Sequence, residues 1–287
     1  MEDLTRQIYY RGSLDFCNYS CPYCPFSKKK ESVRQLEKDQ KEWFRFVREI
    51  EKSGFCGAIQ VVPYGEALIH EYYWEGLARL SQCDGIQAVG AQSNFSFSVG
   101  KMLDLYKSHG GRKEKLRLWG TFHPAMTETG DFLKQCGILQ EAGMLFCVGS
   151  VGVPENIGIL NELRRRLDDR IYMWVNKMDG LGRRYRQDEI QAFAAIDGYF
   201  GLELQYFRTD AKGCDGSLVI EGDGNIRPCI LCHQKMGNLY IDGLESLSER
   251  KCTRQVCDCF LSYGSRKDIP ELESFQPFPA FRIPVYK

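Results

Sequence analysis

The sequence has no surplus of charge of either sign: 38 lysines and arginines stand against 38 aspartates and glutamates. That balance leaves no long-range field to gather nucleic acid or an anionic membrane, so neither is expected as a partner. The short basic clusters at 28–30, 164–166 and 183–184 read as solvated surface. No apolar run approaches the ~18 residues of a membrane span. The opening MEDLTRQIYYRG also lacks the basic-then-apolar layout of a secretion signal. A reducing, cytoplasmic setting is the resulting expectation. In such a setting thirteen cysteines are poor candidates for disulfides and good ones for metal ligands.

The cysteines are unevenly spread. Three crowd positions 17–24 and six lie between 214 and 259. Cys56, Cys83, Cys136 and Cys147 sit in apolar surroundings, where a small buried hydrophobe is expected. From residue 6 to about 200, short apolar runs alternate with amphipathic ones. QIYY leads into the first cysteine group. DQKEWFRFVREIEKSG then reads as a helix capped by Asp39, with Trp43, Phe44, Val47 and Ile50 on one face and Gly54 at its end. GAIQVV, GIQAVGAQ, KLRLWGTF, MLFCVGSV and IYMWVNKM read as further strands, separated by helical stretches such as EYYWEGLARL and GDFLKQCGILQEAG.

About six strand–helix units of crossover length imply a parallel sheet. Six fall short of eightfold closure, so the expected fold is α/β, a partial (β/α)6 TIM-type barrel over residues 1–204. Residues 205–287 change texture. They are glycine-rich, carry a hairpin signal at Asp223-Gly224-Asn225, and end in a four-proline tail that reads as an extended strap. A small β-hairpin/α auxiliary domain with its own metal is expected there.

The first cysteine group is spaced C-x3-C-x2-C, at Cys17, Cys21 and Cys24. Zinc wants four ligands, usually as two pairs, and no cysteine precedes Cys17. A four-iron cubane held by three thiolates instead keeps one iron open to a substrate or cofactor. With this spacing, and with Tyr23 as the aromatic residue before the third cysteine, the sequence resembles the radical S-adenosylmethionine (AdoMet) enzymes. The resemblance implies S-adenosyl-L-methionine and a [4Fe-4S] cluster with an open iron as cofactors, and Tyr23 near the adenine.

VVPYGEAL resembles that family's Gly-Gly-Glu motif, which meets the methionyl amino group. Tyr64 stands where the first glycine usually is, so only Gly65 and Glu66 carry over. The plainer reading is a strand-to-helix turn with Glu66 at a helix N-terminus. Ser93 and Asn94 in AQSNFS stand where the family places polar groups for the cofactor's ribose or carboxylate, or they form an ordinary turn. Gly149, Ser150 and Val151 in CVGSVGVPEN resemble the strand that lines the adenine, and a buried strand entering a helix reads the same way. Strand alternation turns Trp119, Thr121 and His123, and likewise Tyr172, Trp174 and Asn176, toward the barrel interior. Those six are candidates for a substrate pocket or for aromatic core filling.

In the second group, nine residues separate Cys214 from Gly224 and four more separate Gly224 from Cys229. This resembles the opening of the twitch or SPASM-like extension, which binds auxiliary [4Fe-4S] clusters. The resemblance implies one auxiliary [4Fe-4S] cluster on Cys214, Cys229, Cys257 and Cys259, with Cys232 and Cys252 as alternates. The single residue between Cys257 and Cys259 departs from the family's usual two, and a zinc knuckle nucleated by Cys229 and Cys232 is the competing reading.

The implied activity is reductive cleavage of AdoMet to a 5′-deoxyadenosyl radical that abstracts hydrogen from a substrate. A net-oxidative modification of a peptide or natural-product intermediate is expected, with the auxiliary cluster as electron acceptor and a flavodoxin- or ferredoxin-type donor. A small-molecule sugar or alcohol dehydrogenase or epimerase is the alternative within the family. A non-catalytic electron carrier and a zinc-ribbon protein are the readings outside it.

Overall fold

The run QIYY becomes the buried centre of β1 (Arg6–Arg11), the first of six parallel strands. β2 (Gly57–Val61), β3 (Ile86–Ser93), β4 (Leu116–Phe122), β5 (Leu145–Gly152) and β6 (Met173–Lys177) follow in spatial order. Each neighbouring pair is parallel. The crossovers carry α1 (Val33–Ser53), α2 (Glu71–Gln82), α3 (Val99–Ser108), α4 (Thr129–Glu141) and α5 (Ile157–Arg166). After β6 come α6 (Gln187–Ile196) and the short α7 (Phe200–Glu203). The computed structural model describes residues 6–26, 30, 32–208, 217–249, 252, 254–264, 266 and 268–284. Their architecture is the α/β, partial TIM-type barrel that the strand–helix alternation implies.

Alternation divides the strands into two faces. Ile8, Ile59, Val89, Leu118, Val148 and Val175 pack outward against the helices in one large core. Tyr9, Val62, Trp119, Cys147 and Trp174 gather in a second cluster on the inner side.

α1 begins six residues before the expected cap. Asp39 is no cap: it is fully buried and accepts the hydroxyls of Tyr72 (2.9 Å) and Tyr73 (2.8 Å). Gly54 does end the helix, at φ 62. The scattered cysteines divide. Cys136 and Cys147 are buried, Cys83 is half-buried, and Cys56 is exposed because it lies in the turn between α1 and β2.

Past α7 the chain returns to the same sheet. β8 (Ser217–Glu221) pairs parallel with β1 on the side away from β2, and β9 (Asn225–Arg227) and β10 (Gly237–Asn238) extend it antiparallel. The β8–β9 turn has Gly224 at φ 87, as the hairpin signal implies. β11 (Val256–Cys257) returns to pair with β7 (Phe207–Arg208).

The proline-rich tail is no simple extended strap. Together with α8 (Phe260–Tyr263) it fills the inner side of the barrel, through Phe260, Leu272, Phe275 and Ala280. It does so as two short 3-10 turns, Pro270–Phe275 and Pro279–Phe281. Phe281 packs on Ala58 and Ala88, and a Cβ on Gly90 would stand 3.0 Å from its ring. Arg282 follows, wholly buried, its guanidinium carbon 4.3, 4.0 and 3.6 Å from the ring centroids of Trp119, Trp174 and Phe260. Glu203 at 3.1 Å and Asn176 at 2.8 Å hold the head group. Among the described residues, no helix is long and apolar enough to cross a membrane.

Candidate active site

The loop after β1 and the turn after β2 meet backbone to backbone. Phe16 O accepts the N–H of Glu66 at 2.9 Å, and a Cβ on Gly65 would fall 1.7 Å from that same oxygen. Only glycine permits so close an approach. Tyr64, in the position of the missing first glycine, faces outward instead and stacks under Arg11, 4.3 Å from its ring centroid.

Glu66 lies beneath this junction, 4 % exposed. Its carboxylate accepts three donors: the Ser93 hydroxyl at 2.8 Å, the Leu68 N–H at 3.1 Å and the Asn94 N–H at 2.6 Å. Burial nonetheless raises its pKa to about 7, with the three donors pulling the other way. The Asn94 amide donates onward to Asn18 Oδ1 at 3.1 Å and reaches the Cys17 sulfur at 3.8 Å. The motifs at 17–24, 65–66 and 93–94 therefore form one bonded unit at the carboxyl edge of the sheet.

Within the cysteine loop, Cys24 N–H donates to Cys21 O at 3.1 Å, and Tyr19 N–H donates to the Cys17 sulfur at 3.4 Å. Burial pushes the Cys17 thiol up to about 11, and the fields of Glu66, Cys21 and Cys24 act in the same direction. Tyr23 and His123 are joined, phenol oxygen to Nδ1 at 2.8 Å, with stacked rings 5.9 Å apart. Burial raises the phenol's pKa and lowers the imidazole's to about 4, so both are uncharged near neutrality.

The remaining sequence candidates have more local engagements. The Ser150 hydroxyl donates to Phe122 O at 2.8 Å, tying β5 to β4, while Val151 is half-buried. Gly149 stands against the Trp119 indole, whose Nε1 would be 2.5 Å from an added Cβ. Thr121 and His123 are half-buried at the carboxyl end of β4. Trp119 and Trp174 are covered by the tail, Asn176 bonds Arg282, and Tyr172 bonds Asp197. Arg282 and Glu203 escape a sequence reading, because a lone arginine in FRIP carries no periodic signal.

Among the described residues, no three His, Cys, Asp or Glu side chains converge on a point as a ready-made metal site. The cysteine loop fits an iron–sulfur cluster by its donors: three thiols within eight residues, none in a disulfide, next to the Asn94 amide. The second group is less complete. Cys214 lies outside the described residues; Cys229, Cys232 and Cys257 are buried, Cys259 is half-buried and Cys252 is exposed. Arg266 donates to the Cys257 sulfur at 4.0 Å, and burial raises the Cys259 thiol's pKa, with Glu203 adding to the rise and the Leu261 N–H and Arg282 opposing it.

No protein-family model and no curated protein matches the sequence. Solved structures do share the fold. Histidine-tagged anSMEcpe with bound AdoMet is similar at TM-score 0.58 and 13% identity, over 92% of this chain and 88% of that one. Native anSMEcpe with bound AdoMet and Cp18Cys peptide gives TM-score 0.56 at 12% identity, over 96% and 88%. At such identities the likeness carries the fold alone.

Proposed function

We propose that this chain is a radical AdoMet enzyme, with Cys17, Cys21 and Cys24 holding a [4Fe-4S] cluster whose fourth iron takes the cofactor. The observation that carries the reading is the bonded unit of Phe16, Gly65, Glu66, Asn94 and Cys17. Three motifs far apart in sequence meet where a cofactor bridging the cluster and the barrel edge would lie. The shared fold of the AdoMet-bound structures supports it.

Each side chain has a task in that reading. Glu66, held by three donors, receives the cofactor's ammonium group and regains full ionisation from it. Asn94 and Ser93 fix the carboxylate's rotamer, and Tyr23, held by His123, offers its ring to the adenine. Thr121 and His123 border the substrate space above the sealed lumen, while Trp119 and Trp174 exclude water below it. When bound, the reduced cluster would supply one electron to the cofactor's sulfonium, whose C5′–S bond would break to methionine and a 5′-deoxyadenosyl radical able to take hydrogen from a substrate C–H bond.

The substrate class is a peptide or natural-product intermediate, modified with net oxidation, and the peptide in one of the similar structures supports keeping peptides first. A second cluster on cysteines of the 214–259 group is the electron acceptor, and a low-potential carrier of the flavodoxin or ferredoxin type is the donor. A cytoplasmic, reducing location belongs to the same reading.

Anaerobic reconstitution followed by dithionite and AdoMet tests it. Slow 5′-deoxyadenosine release, abolished by Cys17→Ala, Cys21→Ala or Cys24→Ala, is expected. Iron near eight per chain indicates two clusters, and near four indicates one. Stoichiometric zinc without iron would remove the reading.

A further inference from the structure

Where the end of β1 meets α1 and the β8–β9 turn, four buried oxygens have no hydrogen-bond partner among the described residues: Tyr10 Oη, Ser13 Oγ, Asp39 Oδ1 and Glu42 Oε2. Two glycines show how they converge. A Cβ on Gly12 would stand 2.6 Å from Asp39 Oδ1 and 3.0 Å from Tyr10 Oη, and one on Gly222 would stand 2.2 Å from Glu42 Oε2. Gly12 and Gly222 directly follow Arg11 and Glu221, a register pair of adjacent parallel strands, so the two points are neighbours across one strand spacing. Asp39 and Glu42 share a face of α1 at i, i+3. Tyr10 and Asp39 are wholly buried.

The cluster contains two carboxylates, and among the described residues no buried cation answers them. Lys38 meets Glu42 through the other oxygen, Oε1, at 3.5 Å, and is itself exposed. Arg45 lies over the Tyr240 ring at 3.8 Å, and the Tyr240 hydroxyl donates to Gly222 O at 3.1 Å. The Tyr72 and Tyr73 hydroxyls both occupy Asp39 Oδ2. Burial raises the Asp39 pKa; the Tyr73 and Tyr72 hydroxyls and the Leu14 N–H oppose the rise, and the charge of Glu42 adds to it. Burial also raises the Tyr10 phenol's pKa, with Asp39 and Glu42 among the groups that add to it. Buried oxygens left this way are a standing cost unless an ion or water fills the space between them. A cleft of about 910 Å³, with Ser13, Glu42, Gly222 and Asp223 in its wall, gives solutes access.

We propose that this cluster is a structural site for one hard divalent cation, held by Asp39, Glu42, Tyr10 and Ser13 with water completing the shell. Donors that are all oxygen select a hard ion, and two carboxylates match a charge of two. Calcium is preferred to magnesium because it accepts an irregular shell, whereas magnesium demands a near-ideal octahedron. With only two acidic ligands, the site differs from a cluster of three or more His, Cys, Asp or Glu side chains. The ion ties β1, α1 and the β8–β9 turn together at Gly12 and Ser13, five residues before Cys17. Gln35 of α1 holds the same segment, donating to Ser13 O at 3.3 Å. A cation here therefore steadies the chain that leads into the cysteine loop. The site does not depend on the AdoMet reading.

The test uses the reconstituted full chain, dialysed against a chelator and titrated by calorimetry with calcium chloride and, separately, magnesium chloride. One calcium site per chain is expected, with weaker binding of magnesium, and calcium should raise the melting temperature of the native protein. In Glu42→Gln, which keeps the side chain's shape and removes its charge, calcium affinity should fall tenfold or more and the melting shift should vanish. Tyr10→Phe removes a neutral ligand, and affinity should fall threefold or more. Glu37→Gln, on the exposed rim of the same cleft, should bind calcium within twofold of the native protein. A native protein that binds neither ion overturns the proposal and leaves water as the occupant. Native calcium affinity in Glu42→Gln also overturns it. Should Glu42→Gln fail to fold, native affinity in Tyr10→Phe is the result that overturns it.

Discussion

The Glu66 carboxylate accepts the backbone N–H of Asn94 at 2.6 Å, joining the turn after β2 to the end of β3. Asn94 reaches the Cys17 sulfur from the same position. A substitution at any member of this unit should therefore register at the others.

Gly65→Ala is the most severe single methyl addition at the site. The new Cβ would collide with backbone, the Phe16 carbonyl, which cannot swing aside as a side-chain tip can. A loss of about 2–4 kcal/mol is expected. Urea unfolding would measure it, and iron content after reconstitution should fall in parallel because the cysteine loop is displaced.

Glu66 and His123 should impose opposite pH slopes on the stability of the cofactor-free protein. Glu66 is raised from 4.5 to about 7, so its contribution is complete below 4.5 and lost as pH climbs through 7. His123 is lowered from 6.5 to about 4, so its contribution is complete above 6.5 and lost as pH falls through 4. Each is worth roughly 3 kcal/mol at most. Relative to the native protein, Glu66→Gln should gain stability as pH rises from 4.5 to 7. His123→Gln should lose relative stability as pH rises from 4 to 6.5. Denaturant unfolding across this pH range checks both signs.

Arg282→Ala should cost about 3–5 kcal/mol, because Glu203 would remain buried with its charge unanswered. Arg282→Met with Glu203→Gln removes both charges and should recover most of the loss. A double-mutant cycle on unfolding free energy measures the coupling.

Asp39→Ala should cost about 2–4 kcal/mol by leaving the Tyr72 and Tyr73 hydroxyls without their shared acceptor. Adding Tyr72→Phe and Tyr73→Phe to that variant should restore part of the loss. Thermal melting at fixed pH reads the difference.

The parallel strands are legible in the sequence because each is a short apolar run bounded by turn residues, and helical periodicity fills the gaps between them. Alternation also assigns the faces of β4 and β6 without knowledge of what covers them. The start of α1 is misplaced because Asp39 looks like a cap in isolation. Only the tertiary fold brings Tyr72 and Tyr73 to it. The parallel pairing of β8 with β1 joins residues about 210 apart, and no local pattern encodes such a partner. Arg282 is invisible for the same reason: its cage draws one ring each from β4, β6 and α8.

Phe281 and Arg282 also set the order in which this protein can be completed. A ribosome making about 5–20 residues per second needs roughly 5–20 s to travel from the end of β6 to Arg282. Until then Trp119 and Trp174 lack the residues that cover them, and the emerging strands expose an apolar face to chaperones and proteases. Translation that stalls within the tail would strand the chain in that open form, with every strand of the parallel sheet already synthesised.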